Sequence, residues 1–76
     1  MESQKNRPLL TAEEYMTLVN KVLLKKETEW PKTKEDWARI RKECGRVTDL
    51  YYRSGMQNDK LGNQLTLLTL ALKIVE

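Results

Sequence analysis

The chain has 76 residues, 39% of them hydrophobic and 33% charged, and its 14 basic and 11 acidic residues leave a net charge of +3. A chain of this length forms one small domain with a net stability of roughly 4–11 kcal/mol. It contains no histidine and a single cysteine, Cys44. These counts exclude an internal disulfide, a histidine base and a zinc site built from histidine and cysteine. They favour a reducing, cytoplasmic location.

Residues 1–10 are expected to form a short flexible tail and residues 11–76 a single helical domain. The first eight residues are polar and charged, so they lack the apolar segment of a signal peptide. The longest nearly apolar run, residues 65–75, is shorter than the about 20 residues that span a bilayer. We therefore expect no membrane-spanning segment and no membrane partner.

The first predicted helix covers about residues 12–28. Thr11 and Glu14 have the spacing of a capping box, in which side chain and backbone amide satisfy each other at a helix start. Apolar residues then recur at helical spacing, which predicts a face toward the core. This face consists of Ala12, Tyr15, Met16, Val19, Val22 and Leu23. Pro31 disfavours a helical conformation at Trp30 and predicts a connection there.

The second predicted helix covers about residues 34–54, with Thr33 as its cap and Gly55 as its stop. Its apolar residues recur every three or four positions. They are Trp37, Ile40, Cys44, Val47 and Tyr51. Gly45 costs a helix interior about 1 kcal/mol relative to alanine, so we interpret Cys44 and Gly45 as small residues that let another helix approach.

The third predicted helix covers about residues 59–76, with Gln57 or Asn58 as its cap. The alternation of residues 68–74 also fits a strand, but leucine and alanine favour a helix. The sequence therefore predicts an all-α three-helix bundle, with completion by oligomerisation as an open alternative.

The apolar residues of the third helix cover an arc of roughly 220°, whereas a helix on one side of a core needs roughly 150°. Either this helix lies between the other two, or it presents a second apolar face to another chain. We expect the latter, with a second copy or another protein as the partner. The predicted interface consists of Leu67, Leu70, Ala71, Ile74, Val75 and, in the first connection, Trp30.

The basic excess lies entirely in residues 32–54, which carry seven basic and four acidic groups. Arg39, Lys42, Arg46 and Arg53 fall on one arc of the second helix. They predict, as an alternative function, a surface for nucleic acid or another polyanion. The same row also fits a solvated face, because several of its residues have acidic neighbours at i, i+4 spacing. These pairs are Glu35–Arg39, Arg39–Glu43 and Asp49–Arg53.

No pattern in the sequence indicates catalysis, a metal site, a cofactor or a small-molecule substrate. Cys44 lies among apolar positions of the second helix, where a thiol is usually an unreactive hydrophobic group. No paired acids, phosphate-binding loop or metal-ligand spacing accompanies it. We therefore expect a non-enzymatic accessory or regulatory protein.

Overall fold

Helices form most of the described chain and no strand accompanies them. The computed structural model describes the backbone of residues 8–75 and the side chains of residues 8–74. The elements are α1 (Ala12–Leu18), a π-helical turn that continues it (Val19–Leu23), α2 (Lys34–Arg53) and α3 (Asp59–Val75). This confirms the predicted all-α three-helix bundle. None of these helices is long and apolar enough to cross a membrane.

The helix starts follow the capping residues of the sequence. The Thr11 hydroxyl accepts from the Glu14 amide at 3.1 Å, and the Glu14 carboxylate accepts from the Thr11 amide at 2.9 Å. Thr33 and Asp36 form the same reciprocal pair at the start of α2. Asn58 caps α3 by accepting from the amide of Leu61. Each cap satisfies backbone amides that have no partner inside their helix.

The first helix ends at Leu23, five residues before the predicted limit of 28. Its last turn is π-helical, with the Leu24 amide donating to the Val19 carbonyl, and Lys25 then adopts a left-handed conformation at φ 56°. The predicted extension contains the exposed Leu24 followed by Lys25, Lys26, Glu27 and Thr28, so it has no buried apolar group that would hold it against the bundle. A short helix without tertiary contacts is not stable in water, so the helix stops here.

The core is built around α3, which contacts α2 and both parts of the first helix. Its buried members are Leu10, Leu18, Ile40, Val47, Leu67, Leu68 and Ala71. A helix between two others needs an apolar surface on both sides, which accounts for most of the broad apolar arc. Leu9 and Leu10, which the sequence assigned to the tail, are anchored: Leu10 is buried and the Leu9 amide is bonded to Glu43. Residues 1–7 and Glu76 lie outside the described residues.

The glycine at which two helices approach closely is Gly62, to which the sequence analysis gave no role, and not Gly45. Apart from neighbouring atoms of its own helix, no described atom lies within 4 Å of a Cβ built on Gly45, so the interpretation of Gly45 as a close-approach site is wrong. Gly62 provides such a site, because a Cβ there would lie 3.2 Å from a ring carbon of Tyr51. Gly55 has φ 78° and ends α2 as expected.

Gly45→Ala is expected to raise the free energy of unfolding by about 1 kcal/mol, because alanine favours the helix and meets open space. Gly62→Ala, the matched substitution in α3, should give a smaller gain or a loss because the Tyr51 ring must move. Urea denaturation followed by circular dichroism measures both. Equal gains for the two variants would contradict the assigned contact.

Candidate protein-docking groove

A groove of about 450 Å³ runs between the first helix and α3. Its first wall consists of Ala12, Met16, Val19 and Leu23, with Tyr15 beside them, and its second consists of Lys60, Asn63, Gln64 and Leu67. The volume lies in the range of about 300–1,000 Å³ that is usual for binding sites in proteins. The lining is mainly apolar, with an amide-bearing rim on the α3 side.

The first helix presents large apolar side chains to solvent along this groove. Met16 is 60% exposed, Leu23 is 53% exposed and the neighbouring Leu24 is 56% exposed. The sequence assigned Met16 and Leu23 to the core, but the buried face of this helix is centred on Leu18. The apolar stripe is wider than the contact with the rest of the bundle, so one edge of it remains uncovered. Leu23 also belongs to the π-helical turn, a feature frequent at functional sites.

The groove wall is held in place by a buried carboxylate on α2. Glu43 is fully buried, and its oxygens accept from the Leu9 amide at 3.0 Å, from the Tyr15 hydroxyl and from the Arg46 guanidinium at 2.6 and 2.8 Å. Tyr15 thus contributes to the groove while its hydroxyl is bound inside the bundle. One carboxylate thereby joins the chain before the first helix, the first helix itself and α2.

This cluster shifts the pKa of its members in opposite directions. Burial raises the pKa of Glu43, but the bonds from Arg46, Tyr15 and the Leu9 amide outweigh it and leave that pKa below its usual value. Burial and the neighbouring Glu43 carboxylate raise the pKa of the Tyr15 phenol well above its usual value. Glu43 is therefore ionised and Tyr15 neutral at pH 7, as the hydrogen bonds require.

A second ion pair binds the start of the first helix to α2. The Arg39 guanidinium donates to both Glu14 oxygens, at 3.1 and 2.7 Å, and to Asp36 at 3.2 Å. Its hydrogen bonds lower the pKa of Glu14. The Lys32 amide, with Arg39, lowers the pKa of Asp36 to about 2. Arg39 also lies over the Trp30 ring, 5.8 Å from its centroid.

The structure distributes the predicted interface residues over several environments. Leu67 and Ala71 are buried in the core, Leu70 is half-buried, and Ile74 is 50% exposed. Trp30 is half-buried and packs against the core, and its peptide bond to the buried Pro31 is cis. The Val75 side chain lies outside the described part. Among the described members of this set, Leu67 alone lines the groove, so the exposed apolar surface there belongs mainly to the first helix.

Most of the predicted polyanion row is occupied by ion pairs. Arg39 holds Glu14 and Asp36, the side chain of Arg46 is 14% exposed and holds Glu43, and Arg53 pairs with Asp49 at 3.0 Å. Lys42 is exposed. The pair Asp49–Arg53 is confirmed, whereas Arg39 bonds to neither predicted partner, Glu35 or Glu43. Sequence spacing within one helix missed the partner from another helix.

Cys44 and the carboxylates with lowered pKa are the remaining side chains that bear on chemistry. Cys44 is half-buried and packs against the core, with its sulfur 4.0 Å from the Thr69 hydroxyl. Within the described residues, no group of three or more acidic or cysteine side chains could hold a metal ion. The carboxylates with lowered pKa, Glu14, Asp36 and Glu43, all bind amides or guanidinium groups of the bundle.

Tyr15→Phe is expected to lower the free energy of unfolding by about 1.5–3 kcal/mol, because it removes a hydrogen bond to a buried charge. Tyr52→Phe is the matched control, since that side chain is 60% exposed, and it should change stability little. Urea denaturation at pH 7 measures both. Equal losses would contradict a special role for the Tyr15 hydroxyl.

Acid is expected to destabilise the fold. Because Glu14, Asp36 and Glu43 have lowered pKa values in the folded protein, the unfolded chain takes up protons first as the pH falls. Stability should be constant above the usual carboxyl range, fall below it, and continue to fall toward pH 2, where Asp36 titrates. Thermal unfolding at a series of pH values measures this, and a stability that rises on acidification would contradict it.

Comparison of the chain with protein-family models, with curated proteins and with solved structures finds no match.

Proposed function

We propose that this protein is a small non-enzymatic interaction module that associates with a protein partner, most simply itself, through the groove between its first helix and α3. The observation that carries the proposal is the groove itself, flanked by the exposed side chains of Met16 and Leu23. Single exposed apolar residues are ordinary on protein surfaces. A cavity lined by such residues is a feature of docking sites.

The energetics of a small domain support this role. Fully burying a leucine or methionine side chain stabilises a structure by about 1.5–3 kcal/mol, so these half-exposed side chains retain roughly 1 kcal/mol each. This is a substantial amount for a bundle whose total stability is roughly 4–11 kcal/mol, and the isolated chain does not obtain it. A partner that covers the groove would recover it as binding free energy.

The chemistry of the described residues supports a binding role rather than catalysis. The chain contains no histidine, and Cys44 packs against the core. The perturbed carboxylates serve the bundle as ion-pair partners, so their lowered pKa values have a structural cause. We infer a cytoplasmic location from the single cysteine, which leaves the chain without an internal disulfide.

Polyanion binding by α2 has less support. A phosphate would have to compete with Glu14 and Asp36 for Arg39 and with the buried Glu43 for Arg46. Lys42 and the partly paired Arg53 remain as the accessible members of the row. Two cations give only a weak attraction, because affinity for a polyanion grows with the number of phosphates that are neutralised, so we retain the protein-docking function.

Association through the groove predicts a mass that increases with concentration. Sedimentation velocity from micromolar to millimolar protein should show the 9.0 kDa chain converting to a larger species. Met16→Gln and Leu23→Gln should each weaken association at least severalfold, because they place an amide on the docking wall. Both residues are exposed, so the variants should keep the circular dichroism spectrum of the folded bundle.

Met56→Gln is the matched control, because Met56 has a similar exposure of 57% and lies in the turn between α2 and α3. It should leave association unchanged. Ile74→Gln tests the end of α3, which the sequence favoured. If Ile74→Gln abolished association while Leu23→Gln did not, the docking surface would lie at that end of α3 and the groove assignment would be wrong.

A further inference from the structure

We infer that the groove receives the first helix of a second copy, with the two first helices antiparallel about a two-fold axis that passes near Val19 and Asn20. This rests on the proposed function and specifies its geometry. Two features of the first helix lead to it: the spacing of its exposed apolar side chains and the separation of the charges at its two ends.

The apolar spacing fits antiparallel pairing about that axis. Met16 and Leu23 are both exposed at the groove and lie symmetrically on either side of Val19 and Asn20 in sequence. A two-fold axis at this midpoint therefore places Met16 of each copy against Leu23 of the other. Each copy offers a groove and the side chains that enter one, as an isologous contact requires.

The charges at the two ends of the first helix follow the same symmetry. Glu13 lies in the first turn of the helix, and Lys26 lies three residues beyond its last residue, Leu23, so the register that places Met16 against Leu23 brings the segment with Glu13 next to the segment with Lys26. Both side chains are exposed, and within residues 8–74 neither forms an ion pair in the single chain. The two contacts are equivalent by symmetry, so every dimer contains both.

The alternative parallel arrangement would put like charges together. Lys25 and Lys26 of one copy would face the same residues of the other, and Glu13 would face Glu13. Antiparallel pairing instead brings the acidic start of each helix to the basic end of its neighbour, and it opposes the two helix dipoles favourably. Electrostatics therefore select the antiparallel orientation.

The size of the surface sets the strength of the association. A stable dimer buries about 800 Å² on each partner, which exceeds what a helix of three turns and its groove supply. The dimer is therefore weak and forms with increasing protein concentration.

A charge exchange tests the register. Glu13→Lys and Lys26→Glu should each weaken dimerisation roughly tenfold, because each replaces two attractive contacts per dimer with two repulsive ones. The double variant Glu13→Lys/Lys26→Glu restores opposite charges and should recover the dimerisation constant of the unmodified chain. Sedimentation velocity of the full chain measures all of them.

The matched control is Glu35→Lys, which changes the net charge equally and removes an acid from the same second position of another helix, α2. It should leave dimerisation unchanged. If Leu23→Gln abolishes association but the double charge variant stays as weak as the single variants, the register is wrong while the groove remains the docking site. If the unmodified chain is monomeric throughout, both the self-association and its geometry are wrong.

A cysteine cross-link tests the axis independently. With Cys44→Ala to remove the native thiol, Asn20→Cys should form a disulfide-linked dimer rapidly on mild oxidation, because only residues near a two-fold axis meet their own copies. Lys42→Cys, on the exposed face of α2, is the control and should cross-link slowly. Equal rates for the two positions would overturn the assigned axis.

Discussion

The carboxylate of Glu43 is fully enclosed by the bundle, and the position of the first helix depends on it. Burying a charge costs several kcal/mol unless ion pairing and hydrogen bonds satisfy it. Here Arg46, one turn away on the same helix, supplies a bidentate partner, while Tyr15 and the Leu9 amide supply donors from elsewhere. α2 therefore neutralises its own buried charge and leaves acceptor positions for the segment that docks against it.

The local elements of this fold were accessible from sequence because they depend on neighbouring residues. Thr11, Thr33 and Asn58 cap helices through contacts within three residues, and Gly55 ends α2 through its own backbone freedom. Glu43 was missed because helical spacing identified it as a partner for Arg39 on the surface. One signal was present: Glu43 lies one turn from both Ile40 and Val47, on the buried side of α2. An acid on an apolar face with an arginine at i+3 indicates a buried pair.

The groove was harder to anticipate, because it depends on how much of an apolar stripe the rest of the bundle covers. The sequence showed that Met16 and Leu23 share a face with Val19 and Val22. It could not show that burial of this helix would be centred on Leu18 and leave Met16 and Leu23 exposed. The π-helical turn that contains Leu23 was also unpredictable, since no residue type specifies such a turn. The sequence predicted exposed apolar surface on α3. In the structure most of the apolar surface of α3 is buried in the core, and the exposed apolar surface lies mainly on the first helix.

Tyr15 belongs both to the hydrogen-bond network of Glu43 and to the lining of the groove. Docking of the first helix against the bundle is therefore coupled to binding of a partner in the groove. The first helix is short, ends in a wider turn and is joined to α2 by the polar contacts of Glu14 and Tyr15, while Leu18, Val19 and Val22 pack in or against the core. Such an element can open locally without unfolding of the remaining two helices. The groove exists only while that helix is docked, so any occupant shifts the opening equilibrium toward the closed form by mass action. Amide protons of the first helix should therefore report binding through slower hydrogen exchange, even at positions that no partner touches.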